Sequence, residues 1–412
     1  MKNIGIVGSG IAGLHLALFL QYHNVDVTLY SDRTSEQIRN SKFYNTPAQF
    51  HQTLERERSL GIFHWNEAAP LTHIDLTVPG TPLGFQGFVS ESSIFVDPRV
   101  YTSAWLDDFA ARGGKIVVGA LTADDVVRLS ELHDVMVVAS GKGSLIEMFD
   151  RLPEHSPFDK PQRQLVTGYF NGIMKEDPTG MSFILIPEQG EIFQASVNTF
   201  EGIRESLLLE GIPGSAFEAV TSIRYQDDPQ LFNERLLELI RTLAPGLYNM
   251  IDPSTFGVIG DNVMQGAVTP TVRKGYKALG NGKFAIALGD VHVSNDPIVG
   301  QGANTASQAA WTLGEMLLES SVYGEAFCQS AEAQVWMYTE KVTLWSNAFL
   351  MPPPDHALAL LGAATQNQAV ADAFTNNFND PVRQWEVLSS PDNTMAFIQH
   401  YTYTGAPETP TA

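Results

Sequence analysis

The first thirty residues constrain this chain most. "MKNIGIVGSGIAGLHLALFL" sets Gly8, Gly10 and Gly13 between an apolar run at 3–7 and a helical repeat through Leu14, Leu18 and Leu20. "VDVTLY", 25–30, then alternates as a strand does. In such a strand–turn–helix–strand unit the first glycine permits the tight turn. The second lets a pyrophosphate approach the backbone, and the third lets helix and strand pack closely. The helix N-terminus then offers N–H groups and the positive end of its dipole to the anion. Gly8, Gly10, Ile11, Ala12 and Gly13 are therefore expected to bind a dinucleotide; a purely structural glycine turn is the competing reading. An acid about twenty residues on holds the ribose in such folds. Asp32 lies near that place and Ser31 takes the strand end, so the contact stays open between them, with Arg33 adjacent. The opening also has the Lys-then-apolar look of a signal peptide. The glycines punctuate it, however, no A-x-A-type cleavage site follows, and the chain runs straight into another strand.

At 412 residues there is length for two or three lobes or one large composite fold. A helix is expected at 100–111 and a buried parallel strand at 134–141. The runs at 164–174, 181–186, 190–197 and 205–210 are strand-like, separated by Gly, Pro and polar turns. They predict a largely antiparallel sheet inserted into a doubly wound α/β fold. "DPQLFNERLLELIRTLAP" is a helix, "KFAIALGD" (283–290) a buried strand, and the chain is mostly helical from about 299, broken once by "MPPP" at 351–354. The expected division is a cofactor domain over 1–160 and 270–330 and a substrate domain over 40–100 and 161–269. A helical region over 331–400 and a disordered tail over 401–412 complete it. No other stretch reaches about 18 uninterrupted apolar residues, so no membrane span is expected. A net charge of −21 repels phosphate backbones and anionic membranes, which argues against nucleic acid as a partner. The single cysteine, Cys328, fits a reducing cytoplasm.

A second glycine-rich turn, "NDPIVGQGANTASQAAW" at 295–311, enters a long helix. It follows Gly289-Asp290 at the end of a buried strand, where ligands bind in open α/β sheets. The Asp290 carboxylate can accept hydrogen bonds from a polyol such as a ribityl chain. Pro297 has no N–H and can lie flat against a ring. Gly300 and Gly302 strip side chains from the loop and expose the first N–H groups of the helix, around Gln301, Ala303 and Asn304. A reduced flavin carries negative charge on its N1–C2=O edge and suits that end; a glycine-rich cap is the alternative. No second Gly-x-Gly-x-x-Gly follows a strand. The region after 134–141 reads "ASGKGS", with Gly141, and lacks the Asp-Gly pair and downstream Arg of single-component aromatic hydroxylases. No Trp-x-Trp-x-Ile-Pro segment of the flavin halogenases is present. The histidines form no cluster with metal-ligand spacing. Asp107-Asp108 and Asp124-Asp125 read as solvated helix faces.

Across residues 4 to 385 the chain resembles the epoxidase component of two-component styrene monooxygenases and the related indole monooxygenases. "IGIVGSGIAGLHLALFL", "VDVTLYSDR", "SPFDKPQR", "NGKFAIALGD", "DPIVGQGANTASQAAW" and "FTNNFNDPVRQW" carry the resemblance. It implies a glutathione-reductase-like, Rossmann-type FAD domain joined to a β-sheet substrate domain and C-terminal helices. It also implies reduced FAD from a separate NADH-dependent flavin reductase, O2, a small aromatic alkene as substrate, and a homodimer. The oxygen would be delivered by a C4a-hydroperoxyflavin, leaving the protein to orient the reactants and exclude water. By position, Asn45 and Thr46 match the pair between flavin and substrate pocket, and His73 and Ser93 match a pocket histidine and serine. Lys42-Phe43-Tyr44 replaces the family's Arg-Leu-Leu; Lys42 and Phe43 are expected near the flavin, with Phe50 beside an aromatic pocket. Pro47 and Gln49 fall where styrene- and indole-preferring members differ. Ordinary loop capping by Asn45 and core packing by the aromatics are the plainer alternatives. A self-sufficient NAD(P)H-dependent aromatic hydroxylase is the second functional reading.

Overall fold

The computed structural model describes residues 2–404 except 142 and 176. Six strands form the first sheet, in the order Tyr276–Ala278, Phe284–Ala287, Val135–Val138, Asn3–Val7, Asp26–Ser31, Lys115–Val118. All neighbours run parallel except the first pair. Parallel strands need cover on both faces, and alternate residues supply it. Ile4, Ile6, Val135, Val137 and Ile286 pack with Leu14, Phe19 and Leu313 of the helices Ile11–Tyr22 and Gly302–Glu319. Val7, Met136, Val138, Ala285 and Ala287 fill the opposite side with Val126, Leu145 and Phe149.

The second sheet has eight strands, ordered Gly257–Gly266, Gln164–Asn171, Gly202–Gly211, Gly190–Thr199, Gly180–Ile186, Pro70–Thr77, Gly84–Phe95, Ala48–Gln49. Its pairings are antiparallel save one: Pro70–Thr77 runs parallel to Gly180–Ile186, with His73 opposite Gly180. That seam joins two segments distant in sequence. One face is covered by the helix Pro229–Leu243, which sends Phe232, Leu236, Leu239 and Ile240 onto Ile184, Ile192, Leu207 and Leu209. The i, i+4, i+7, i+8 spacing makes one apolar stripe, and the Asp228 carboxylate caps it by accepting from the Leu231 N–H at 3.0 Å. The other face carries Ile74, Leu76, Met181 and Phe183 against Ile298, Val299 and the C-terminal helices.

The expected helix at 100–111 spans Pro98–Ala111, with Asp97 as its cap. Beyond 299 the helical run breaks more often than once. Helices occupy Gly302–Glu319, Glu325–Phe349, Asp355–Gln366, Gln368–Asn376, Pro381–Leu388 and Pro391–Thr404. Asn367 and Asp380 cap new starts with their side chains, a competition with the backbone that apolar periodicity does not register. The last helix also carries residues 401–404, so the tail expected from 401 starts too early; 405–412 lie outside the described residues. No described helix is long and apolar enough to cross a membrane.

Candidate functional site

Three strand ends meet at the carboxyl edge of the first sheet. Gly8 has φ +115°, and a Cβ there would lie 2.7 Å from the Ala139 carbonyl oxygen. A Cβ at Gly13 would collide with the Gly8 carbonyl. One at Gly10 would meet nothing within 4 Å, and the helix Ile11–Tyr22 begins there without a side-chain cap. The outer glycines thus serve close packing and the middle one faces open space. Gly289, at φ +68°, abuts Ala12, and Gly141 stands against the Asp290 side chain. Asp290 is exposed along this cleft, yet the protein around it desolvates its carboxyl and lifts it above the usual carboxylate range.

Ser31 does not reach outward. It is fully buried, its hydroxyl 2.7 Å from Ser9 Oγ and donating to the Arg33 carbonyl at 2.5 Å. A strand-end side chain that alternates inward fastens the turn, and Asp32 is the exposed neighbour, paired with Arg33 at 3.4 Å.

At the second turn, Asp296 Oδ1 accepts from the Ile298 N–H at 3.2 Å and sets the 3-10 turn Pro297–Val299. Gly300 follows at φ +65°. Added Cβ atoms at Gly300 and Gly302 would meet nothing within 4 Å, and no side chain caps the helix Gly302–Glu319. Gly302 is exposed, and the first N–H groups of this helix have no acceptor among the described residues. One cavity is lined by Gly289, Asp290, Gly302, Thr305, Ala306 and Thr339, so the strand end and the helix start share it.

Two side chains of this loop are engaged by the scaffold. Gln301 donates to the Phe378 carbonyl at 2.9 Å. Asn304, expected at the cofactor, is buried and clasped. Its Oδ1 accepts from the Phe50 N–H and the Thr53 hydroxyl, both at 2.8 Å, while Nδ2 donates to the Ala48 carbonyl at 3.0 Å. Pairing of a buried amide leaves nothing over for a ligand; the backbone of this turn stays available and the Asn304 side chain does not.

Asn45 is exposed, its Oδ1 accepting from the Thr46 N–H at 2.8 Å, and its NH2 has no partner among the described residues. Thr46 Oγ1 lies 3.2 Å from Thr167 Oγ1 on the strand Gln164–Asn171. Thr167 was not singled out from the sequence; its signal is a hydroxyl at an alternate position of the apolar run "QLVTGYFN". Lys42 is exposed.

Four expected site residues lie elsewhere. Phe43 is buried against Tyr169 and Val197, ring centroids 4.9 Å apart from Tyr169, because its apolar ring completes a small core cluster. Phe50 likewise packs into the core, 6.2 Å from Phe378. His73 alternates away from Ile74 and Leu76, so it projects from the sheet face opposite Ile298 and Val299. There its Nδ1 is 3.1 Å from Thr72 Oγ1 and its Nε2 is 3.6 Å from the Asp75 carboxylate. Ser93 is fully buried and donates to Asn379 Oδ1 at 3.4 Å, tying the sheet to the C-terminal segment. Asp107 and Asp108 pair with Arg39 and His64, and Asp125 closes a capping box with Thr122.

The comparisons with known proteins agree with this architecture. Residues 141–249 match the profile described as "Styrene monooxygenase A putative substrate binding domain". Styrene monooxygenase StyA of Pseudomonas fluorescens is 38% identical over 97% of this chain and 98% of its own length. The StyA of a Pseudomonas sp is 38% identical over 95% and 96%. Among solved structures, the flavin-dependent brominase Bmp2 superposes with a TM-score of 0.71 at 12% identity, covering 97% of this chain and 99% of its own. The ternary complex of aklavinone-11 hydroxylase with FAD and aklavinone gives 0.57 at 18% identity, over 84% and 68%. At these identities the structures share the fold.

Proposed function

The chain belongs to the styrene monooxygenase family, and from that premise we propose that it is the oxygenase of a two-component system. It takes reduced FAD from a separate NADH-dependent flavin reductase and, with O2, epoxidises aryl alkenes such as styrene; indole is a second substrate. The observation that carries this reading is the bare start of the helix Gly302–Glu319, at the same cleft as Gly289-Asp290.

The residues present fit a flavin dinucleotide. Gly8, Gly10 and the N–H groups from Ile11 to Gly13 would hold the pyrophosphate, and Asp32 the ribose. Asp290 would accept from the ribityl hydroxyls. Pro297 would offer the ring an apolar surface, and the Gly302 and Ala303 N–H groups would receive its electron-rich edge. When bound, the reduced flavin activates O2 and supplies the transferable oxygen atom. The alkene is itself the nucleophile, so the protein's work is orientation and exclusion of water. The Asn45 NH2 would be available to donate to the bound reactants, and Thr46 is steadied by Thr167. Ile298 and Val299 bring apolar surface to the loop.

The test is a reconstitution of the purified chain with an unrelated FAD reductase, NADH and FAD in air. Styrene oxide from styrene and blue pigment from indole are expected, with no NADH oxidation when the reductase is left out. Absence of product from both substrates removes the proposal. Substrate-stimulated NAD(P)H consumption by the chain alone would point to a self-sufficient hydroxylase instead.

A further inference from the structure

We infer that Glu210 is a positioning residue for the flavin loop, acting through a proton that it shares with Asp296. Glu210 stands on the strand Gly202–Gly211 directly opposite Glu191. The only guanidinium facing this pair among the described residues, Arg163, is already engaged by Glu191: Nε donates at 2.8 Å and Nη2 at 3.0 Å. Glu210 is completely buried, and among the described residues neither of its carboxyl oxygens has a donor; Asp296 is 2% exposed and its Oδ2 likewise has none. The two carboxyl groups face one another within hydrogen-bonding reach once one of them is protonated. Two ionised carboxylates in contact in a dry site are untenable, whereas one proton satisfies both, the O–H of one donating to the other.

Burial and the neighbouring carboxylates outweigh the Arg163 guanidinium beside the pair. Burial pushes Glu210 well above the ordinary carboxylate range, and the negative charges of Asp296 and Glu191 add to this, against Arg163. Burial raises Asp296 as well. Asp296 is the residue whose other oxygen holds the Ile298 N–H, and its own carbonyl accepts from Ser346 Oγ at 3.1 Å. The shared proton thereby fastens the second sheet to the turn that presents Gly300 and Gly302. As pH rises through the raised titration of the pair, repulsion replaces the hydrogen bond and the turn is released.

This rests on the flavin reading above, and the experiment separates the two. Oxidised FAD, whose ring stays neutral over this range, is titrated by flavin fluorescence into the wild type, Glu210→Gln and Asp296→Asn from about pH 5.5 to about 8.5. The wild-type Kd is expected to rise with pH, by at most about tenfold per unit for one proton. Glu210→Gln, which always carries an N–H donor, keeps the acid-limb affinity within about threefold and flattens the rise. Should it not fold, Asp296→Asn carries the same expectation. A flat wild-type profile, or an unchanged slope in a folded variant, overturns the inference. No binding at any pH of oxidised FAD, nor of reduced FAD under anaerobic conditions, overturns the flavin reading instead, and apoprotein melting then decides. A wild-type deficit against Glu210→Gln that widens with pH supports the shared proton; a constant difference overturns it.

Discussion

At the scale of single residues, Asn304 and His73 show opposite fates for polar side chains. Asn304 satisfies two donors and a carbonyl from the segment 48–53. Asn304→Ala strands those buried groups and should cost about 3 kcal/mol, seen as a lowered melting temperature together with weaker FAD binding. His73 sits on the sheet face away from the loop, so His73→Gln should leave kcat and KM for styrene within about twofold. Asn45→Ala should lower kcat by about tenfold or more, since an orienting donor is lost. Equal losses in both variants would mean that the pocket lies on the His73 face. Residue types at these positions were legible in the sequence, and their directions were not. A one-residue step along a strand turns a side chain to the other face, and His73 and Ser93 were each decided by that parity, whereas Phe43, in an irregular segment, was decided by packing on Tyr169.

At the scale of elements, glycine spacing was the legible signal because it is local. The three glycines of the first turn fold as expected, but only the structure divides packing from ligand access. A Cβ at Gly13 would strike the Gly8 carbonyl, so Gly13→Ala should abolish folding of the unit or lower its melting point sharply. A side chain at Gly302 meets open space. Gly302→Val should hold the apoprotein melting temperature within about 3 °C while raising the FAD Kd by about tenfold or more. Loss of stability without loss of binding in Gly302→Val would contradict the assignment of that helix start to the ring. The repeated breaks after residue 320 were illegible for a related reason: caps such as Asn367 and Asp380 act through one or two side-chain hydrogen bonds, which leave the apolar period undisturbed.

At the scale of the whole molecule, stability is bounded by buried titratable groups on both sides of neutrality. Burial lowers His15 to about 3 and His292 to about 4 from an ordinary 6.5. Their folded values are depressed, so the unfolded chain binds the extra protons. Stability present above about pH 6.5 is lost as pH falls, by up to about 1.4 kcal/mol per unit for each group. Glu57 behaves oppositely. Burial raises it while the Gln49 and Trp65 N–H groups donate to it at 2.8 and 3.0 Å, so its contribution is lost as pH rises. Calorimetry across pH should show a dome, with the acid limb shallower in His292→Gln; a melting temperature level from about pH 4 to about 6.5 would contradict these environments.

The parallel seam between Pro70–Thr77 and Gly180–Ile186 governs how the protein is born. During synthesis the strand around His73 waits, one edge unpaired, until Gly180 has left the ribosome, and Val135–Val138 waits likewise for Phe284–Ala287. Neither layer can close over its own early residues, so nascent chains expose pairing edges for most of translation and mature late, as one cooperative event.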